Sequence, residues 1–181
     1  MKELLKKLNA CQPAREWADD KTIEEIWATC YRGDWMLWLA RKLNIDKRVL
    51  TLAKGHCANT VRHLMKDERS IAAVDMAIKY GEGNATDSEL AAAADAAAYA
   101  ADAAAYAAYA AYAAYAADAY AADAAAYAAA DDADAAAYAA AAYAAYDATA
   151  DARKQSQQAT AEICRKYIPL DLILEIGRAH V

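Results

Sequence analysis

AYAAYAAYAAYAADAYAAD, from Ala105 to Asp123, decides the fold. Alanine has the highest intrinsic helix propensity, and the span from Ser88 to Ala150 contains neither Gly nor Pro. One unbroken helix over that span would be ~95 Å long at about 1.5 Å per residue. The expectation is therefore a bundle of two or three helices. Its turns are placed near Asp118–Asp123 and at Asp131-Asp132-Ala133-Asp134, where Asp can cap a new start. Alanine lets backbones approach closely but buries little area, which leaves the tyrosines as the main apolar surface. Tyr106, Tyr109, Tyr112 and Tyr115 recur every third residue. At about 100° per residue each step drifts by roughly 60°. Such a sweep suits a helix wrapped by neighbours, so AAY reads as a packing repeat with its hydroxyls at the bundle edge. A flat ligand stripe would not drift, and an ice-binding face would need regularly spaced threonines.

Outward from this tract the chain also reads as helix. Lys2 to Ala10 places Leu4, Leu5 and Leu8 on one face. Pro13 suits the first turn of a short helix through Trp17. Thr22 and Glu25 form a capping box ahead of IEEIWATCY. Gly33 breaks that helix and Asp34 caps WMLWLARKLN. Asp46 caps KRVLTLAKGHCANTVRHLMK, in which Gly55 marks close packing. Ser70 starts IAAVDMAIKY, which ends at Gly81 and Gly83, and Thr86 or Asp87 opens the alanine-rich part. The fold class expected is all-α, a multi-helix bundle. Residues 1–84 form an amphipathic helical half with a Trp-rich segment, and residues 85–175 an Ala/Tyr/Asp-rich half packed on it as one domain.

The net charge of -6 argues against general nucleic-acid binding through a basic surface. Its distribution is uneven: residues 1–79, 80–152 and 153–181 balance to +4, -12 and +2. The middle holds no Lys or Arg at all. Either it packs against the basic flanks, or it offers an acidic face to a basic partner. MKELLKKLNA lacks the apolar run of a signal peptide, and Asp interrupts the alanine tract too often for a membrane span. Cys11, Cys30, Cys57 and Cys164 form no CxxC pair, which reads as buried thiols of a reduced, cytoplasmic protein. His56, Cys57 and His63 lack a second cluster to complete a metal shell, so neither metal nor cofactor is expected. The ending IGRAHV, residues 176–181, translates ATC GGA AGA GCA CAC GTC of a sequencing adapter whose next codon is a stop. It is read as adapter read-through on assembled environmental DNA, outside the domain.

LNACQPAREWA, IWATCYRGDWMLWLA, LAKGHCANTVRHL and IAAVDMAIKYGEG, followed by the Ala/Tyr/Asp tract, resemble the alanine-rich immunity proteins. These are the fifth immunity family of bacterial polymorphic toxin systems, and similar domains are carried by phages. RGDWMLWLA is the most specific part. The resemblance implies an all-α, non-enzymatic protein that acts by binding, and it carries over no established site.

There is no Gly-rich phosphate loop, HExxH or GxSxG, and the pair Asp131 with Asp134 lacks a positioned partner. The candidate surface is the tryptophan segment. Trp35, Trp38 and Lys42 share one helix face; Asp34, Trp38 and Arg41 share the next. Aromatic rings with Arg suit a nucleotide-like ligand, by stacking and by charge-assisted hydrogen bonds. The ligand-binding set is Arg15, Trp17, Arg32, Asp34, Trp35, Trp38 and Arg41, with Tyr106 and Tyr109 from the repeat. The bland reading makes Trp35 and Trp38 core anchors.

Three functions follow. The first is an anti-defence sponge that sequesters a nucleotide-derived immune signal, its phosphates meeting Arg15, Arg32, Arg41 or the Arg153–Lys154 and Arg165–Lys166 pairs. The second is an immunity protein that binds a toxin directly, for which the acidic middle is suited. The third is a structural module or nucleic-acid mimic, disfavoured because Asp95, Asp102, Asp118 and Asp123 keep no common face. A homo-oligomer through the alanine faces is expected.

Overall fold

The computed structural model describes residues 2–110 and 150–179. Among them there are only helices: α1 (Lys2–Lys7), α2 (Gln12–Trp17), α3 (Ile23–Thr29), α4 (Gly33–Lys42), α5 (Lys47–Asn59), a 3₁₀ turn (Arg62–Leu64), α6 (Glu68–Gly81), α7 (Asp87–Ala110), α8 (Ala150–Tyr167) and α9 (Leu170–Ala179). The all-α class is as the sequence predicts. The turns expected near Asp118–Asp123 and Asp131–Asp134 lie outside the described residues, as do Tyr112 and Tyr115.

Local chemistry sets the helix ends. Thr22 Oγ1 accepts from the Glu25 amide at 3.2 Å while Glu25 accepts from the Thr22 amide at 2.7 Å, the expected capping box. The same pair of bonds joins Thr86 and Glu89 ahead of α7. Asn9 and Asn44 end α1 and α4 at φ 59° and 56°, with the next amide returning five residues, Ala10 to Leu5 O and Ile45 to Ala40 O. These are left-handed terminators, which Asn tolerates because its short polar side chain satisfies itself locally.

Three expected starts and stops move. α4 begins at Gly33 itself, with Arg32 at its N-cap, and Asp34 turns onto the Arg32 guanidinium instead of capping. The reason is packing: a Cβ on Gly33 would lie 2.4 Å from Thr160 Oγ1 and 2.7 Å from the Thr160 backbone, so only glycine lets α4 press on α8. α6 is capped by Asp67, whose carboxylate accepts from the Arg69 amide, and Ser70 lies buried inside the helix. α5 stops at Asn59 and gives way to the 3₁₀ turn. The close packing expected at Gly55 is present, its missing Cβ falling 3.0 Å from Ile78 Cγ1 of α6.

α5 packs along α6 and α6 along α7, while α8 packs on α4 and α5, and α9 on α3. Two apolar clusters result. One joins α1–α5 to α8 and α9 through Leu5, Trp27, Leu37, Cys57, Cys164 and Ile168. The other joins the end of α5 to α6 and α7 through Val61, Val74, Tyr80, Leu90 and Ala97. The core of residues 1–84 is therefore completed by side chains from beyond residue 160. Between the basic half and the start of the acidic stretch, Lys47 pairs with Asp87 at 3.0 Å and the Tyr80 hydroxyl donates to the same carboxylate at 2.9 Å. Farther along α7, Glu89 and Asp95 are exposed.

Candidate functional site: a pocket of four tryptophans

α2, α3 and α4 are short helices joined by short connections, and each carries tryptophan. Trp17 closes α2, Trp27 lies in the last turn of α3, and Trp35 and Trp38 project from α4. All four tryptophans of the chain line one apolar pocket, with Leu5, Ile26, Cys30, Met36 and Leu39. It holds about 30 Å³ of water-accessible space and is partly open to solvent.

Three rings cluster at this site. Trp17 meets Tyr31 at 6.3 Å and 81°, Trp17 meets Trp35 at 6.0 Å and 54°, and Tyr31 meets Trp35 at 6.3 Å and 53°. These are edge-on and tilted contacts, which the ring quadrupoles favour over a face-to-face sandwich. Two cations lie over the rings: Arg32 is 4.6 Å from the Trp35 centroid, and Lys21 Nζ is 4.6 Å from the Trp17 centroid. Arg32 is held there by Asp34, its Nε donating to Oδ1 at 2.8 Å and Nη2 to Oδ2. The bidentate pair fixes the guanidinium plane and also offsets its charge. Tyr31 is 39 % exposed, whereas Trp27 is 2 % exposed.

The pocket wall is almost without free polar groups. The Cys30 thiol donates to Arg32 O at 3.4 Å, and burial pushes that thiol up to about 11. The Cys30 and Trp27 carbonyls both accept from Arg165 Nη1, at 2.8 and 3.3 Å. Trp27 Nε1 is a buried donor with no hydrogen-bond partner among the described residues.

The expected ligand set is thus brought together only in part. Trp17, Arg32, Asp34, Trp35 and Trp38 meet as expected. Arg15 lies apart, in a polar groove of about 340 Å³ lined by Lys2, Lys6, Gln12, Glu16 and Asp19. Arg41 is exposed at the last turn of α4. Tyr106 and Tyr109 belong to α7, whose main described neighbour is α6, and their side chains lie outside the described residues. Arg165, one of the expected phosphate anchors, is instead spent on the carbonyls at the end of α3.

Sequence reasoning missed Trp27 and Tyr31. Trp27 reads as an ordinary core residue, because an unpaired indole N–H leaves no mark in a sequence. Tyr31 is expected inside the helix that Gly33 breaks, but α3 stops at Thr29 and leaves Tyr31 in the link before Arg32. The expectation of buried thiols holds for Cys30, Cys57 and Cys164 but not for Cys11, which is exposed because it precedes α2 on the surface. Among the described residues no group of His, Cys, Asp and Glu is arranged to hold a metal, and no helix is long and apolar enough to cross a membrane.

Comparison with protein families, with curated proteins and with solved structures finds no match to this chain.

Proposed function

We propose that this protein is a non-enzymatic, stoichiometric binding protein of phage–bacteria conflict, an anti-defence sponge that sequesters a small nucleotide-derived immune signal in the bacterial cytoplasm. The observation that carries the reading is the convergence of all four tryptophans on one pocket, with Arg32 and Lys21 over the rings of Trp35 and Trp17. Stacking surface beside fixed cations is what a heterocycle carrying phosphates requires. The resemblance to alanine-rich immunity proteins and their phage-borne copies supports a binder, because such a copy without a cognate toxin needs another target. The test is to incubate the protein with extract from cells whose nucleotide-signalling defence has been triggered, wash it, and denature it. A phosphorylated small molecule released chemically intact and in stoichiometric amount supports the sponge. Recovery of a cleaved product, or of nothing, overturns it.

A second reading has its own support. α7 carries exposed Glu89 and Asp95 together with Tyr99, which is 69 % exposed. An aromatic anchor flanked by carboxylates suits capture of a basic toxin protein by direct contact, with the long-range field speeding association. A toxin recovered in a pull-down, and lost when Tyr99 is changed to Ala, would favour this antidote over the sponge.

A further inference from the structure

We propose that the groove between α1 and α2 is a second binding site, for a small zwitterion of the α-amino acid type. Arg15 takes its carboxylate, and the carboxylates of Glu3, Glu16 and Asp19 take its ammonium group. The groove shares no lining residue with the tryptophan pocket, and the proposal does not rest on the sequestration reading.

The starting point is an unengaged guanidinium. Arg32, Arg62 and Arg69 are each paired with an aspartate, and Arg48 and Arg165 donate to backbone carbonyls. Arg15 makes no hydrogen bond and no ion pair with any described residue. The acids beside it are engaged with others: Asp19 pairs with Lys2 at 2.6 Å, and Glu16 accepts from Gln12 Nε2 at 2.7 Å. The Arg15 side chain is half-buried, and its Nε is sealed from solvent. Nη1 and Nη2 are not sealed, so a ligand in the groove meets that end of the fork. Two parallel N–H donors on a planar cation match the two oxygens of one carboxylate.

Size and charge narrow the class. The chain turns at Asn9, φ 59°, and brings α2 against α1. The groove left between them holds about 340 Å³, which suits a small molecule. Three cations and three carboxylates line it: Lys2, Lys6 and Arg15 against Glu3, Glu16 and Asp19. A phosphate dianion would meet all three carboxylates, and a polyamine all three cations, so like charge opposes both. A ligand with one charge of each sign is opposed by neither. The ion pair of Lys2 with Asp19 is no barrier to entry, because both side chains are exposed, at 63 % and 41 %, and such a pair is weak. The chemical class is therefore a compact molecule that carries a carboxylate and an ammonium group, as a free α-amino acid does.

The experiment uses the ¹⁵N-labelled full chain and follows its arginine Nε–H signals during titration. Arg15→Gln assigns the Arg15 signal by its loss and keeps a polar side chain. The probes are the common L-amino acids, added one at a time. Acetate, methylammonium and inorganic phosphate are the controls that carry one sign of charge. The expected result is a saturable shift of the Arg15 signal with at least one amino acid, which binds about 10-fold or more tighter than any control, the worth of one hydrogen bond to a charged group. Arg15→Gln, and separately Glu3→Gln with Glu16→Gln, should each weaken that amino acid about 10-fold or more. An Arg15 signal that no amino acid moves at millimolar concentration overturns the proposal, and the wild-type titration decides this even if no variant folds. Phosphate or acetate bound as tightly as the amino acid makes the groove a plain anion site and also overturns it. So does undiminished binding by a folded Arg15→Gln protein. Capture of a phosphorylated molecule from extracts bears on none of these outcomes, so the groove and sequestration fail separately.

Discussion

Arg165 and Cys30, 135 residues apart in sequence, are joined by a hydrogen bond of 2.8 Å from the guanidinium to the backbone carbonyl. The same Nη1 reaches the Trp27 carbonyl at 3.3 Å, so one α8 side chain satisfies two carbonyls that the end of α3 leaves without helical partners. It thereby ties the C-terminal helices to the wall of the tryptophan pocket. Hydrogen bonds to a charged group are worth about 1.5–3 kcal/mol. Arg165→Ala should lower stability by about 2–3 kcal/mol in urea unfolding, and Arg165→Lys should recover part of this because a lysine supplies charge without the planar fork. An Arg165→Ala protein as stable as the wild type would show that the bond contributes nothing.

Gly33 and Gly83 should respond to alanine for different reasons. At Gly33 the added methyl meets Thr160, including backbone atoms that cannot rotate away, so α4 and α8 must separate. A cost of about 2 kcal/mol is expected, typical of overpacking. At Gly83, φ is +84° and nothing lies within 4 Å, so only backbone strain opposes the substitution. That cost is about 1 kcal/mol. Thermal melts of the two variants should keep this order, and Gly33→Ala alone should also disturb the tryptophan fluorescence, because Trp35 and Trp38 ride on α4.

The cysteines give a direct test of the core. Cys11 is exposed, while Cys30, Cys57 and Cys164 are buried. The neighbouring Cys57 thiol and burial hold Cys164 well above the usual thiol range. Only the thiolate attacks a disulfide reagent. One thiol should therefore react quickly with an aromatic disulfide in the native protein, and the other three only as fast as the structure opens. Rapid reaction of more than one would mean that the α4–α5–α8 core is not packed as described.

Acid should act through identified carboxylates. The hydrogen bond from Arg62 holds Asp75 below its ordinary value of 3.8, and the hydrogen bond from Arg69 does the same for Asp67. A group whose folded pKa is depressed contributes stability above its unfolded pKa, and that contribution is lost as pH falls through the folded value. Arg62→Gln should therefore flatten the stability profile below about pH 3.8 and leave its slope near neutrality unchanged. Burial and Lys166 lower His56 from 6.5, where it stacks on Tyr167 at 4.1 Å. By the same sign, His56 stabilises above 6.5 and that share is lost as pH falls below it. His56→Gln should remove that step, to be read by urea titration across the range.

The helices were legible because their signals are local. The capping box at Thr22 and Glu25, the Pro13 start and the Gly81–Gly83 stop each involve neighbours within four residues. Asn9 and Asn44 carried a terminator signal that hydrophobic periodicity does not register. What escaped is what depends on distant chain. Gly33 looks like a helix breaker until α8 is laid against it. Arg165 looks like a free surface cation until α3 is known to end beneath it. The division at residue 84 followed a change in composition, whereas the core follows contact, and Cys164 and Ile168 pack with Leu37 and Cys57. In the candidate site, the residues close in sequence, Arg32, Asp34, Trp35 and Trp38, were found together. Arg15 was misplaced because α2 turns it toward α1, although Trp17 two residues later faces the pocket.

The central claim is that the pocket captures a small molecule, and native mass spectrometry of the wild-type protein beside a Trp35→Ala, Trp38→Ala double variant tests it most directly. After mixing with extract that contains activated defence nucleotides, the account predicts one discrete small-molecule mass shift on the wild type and none on the folded double variant. An identical shift on both, or none on a clean and folded wild type, would contradict it.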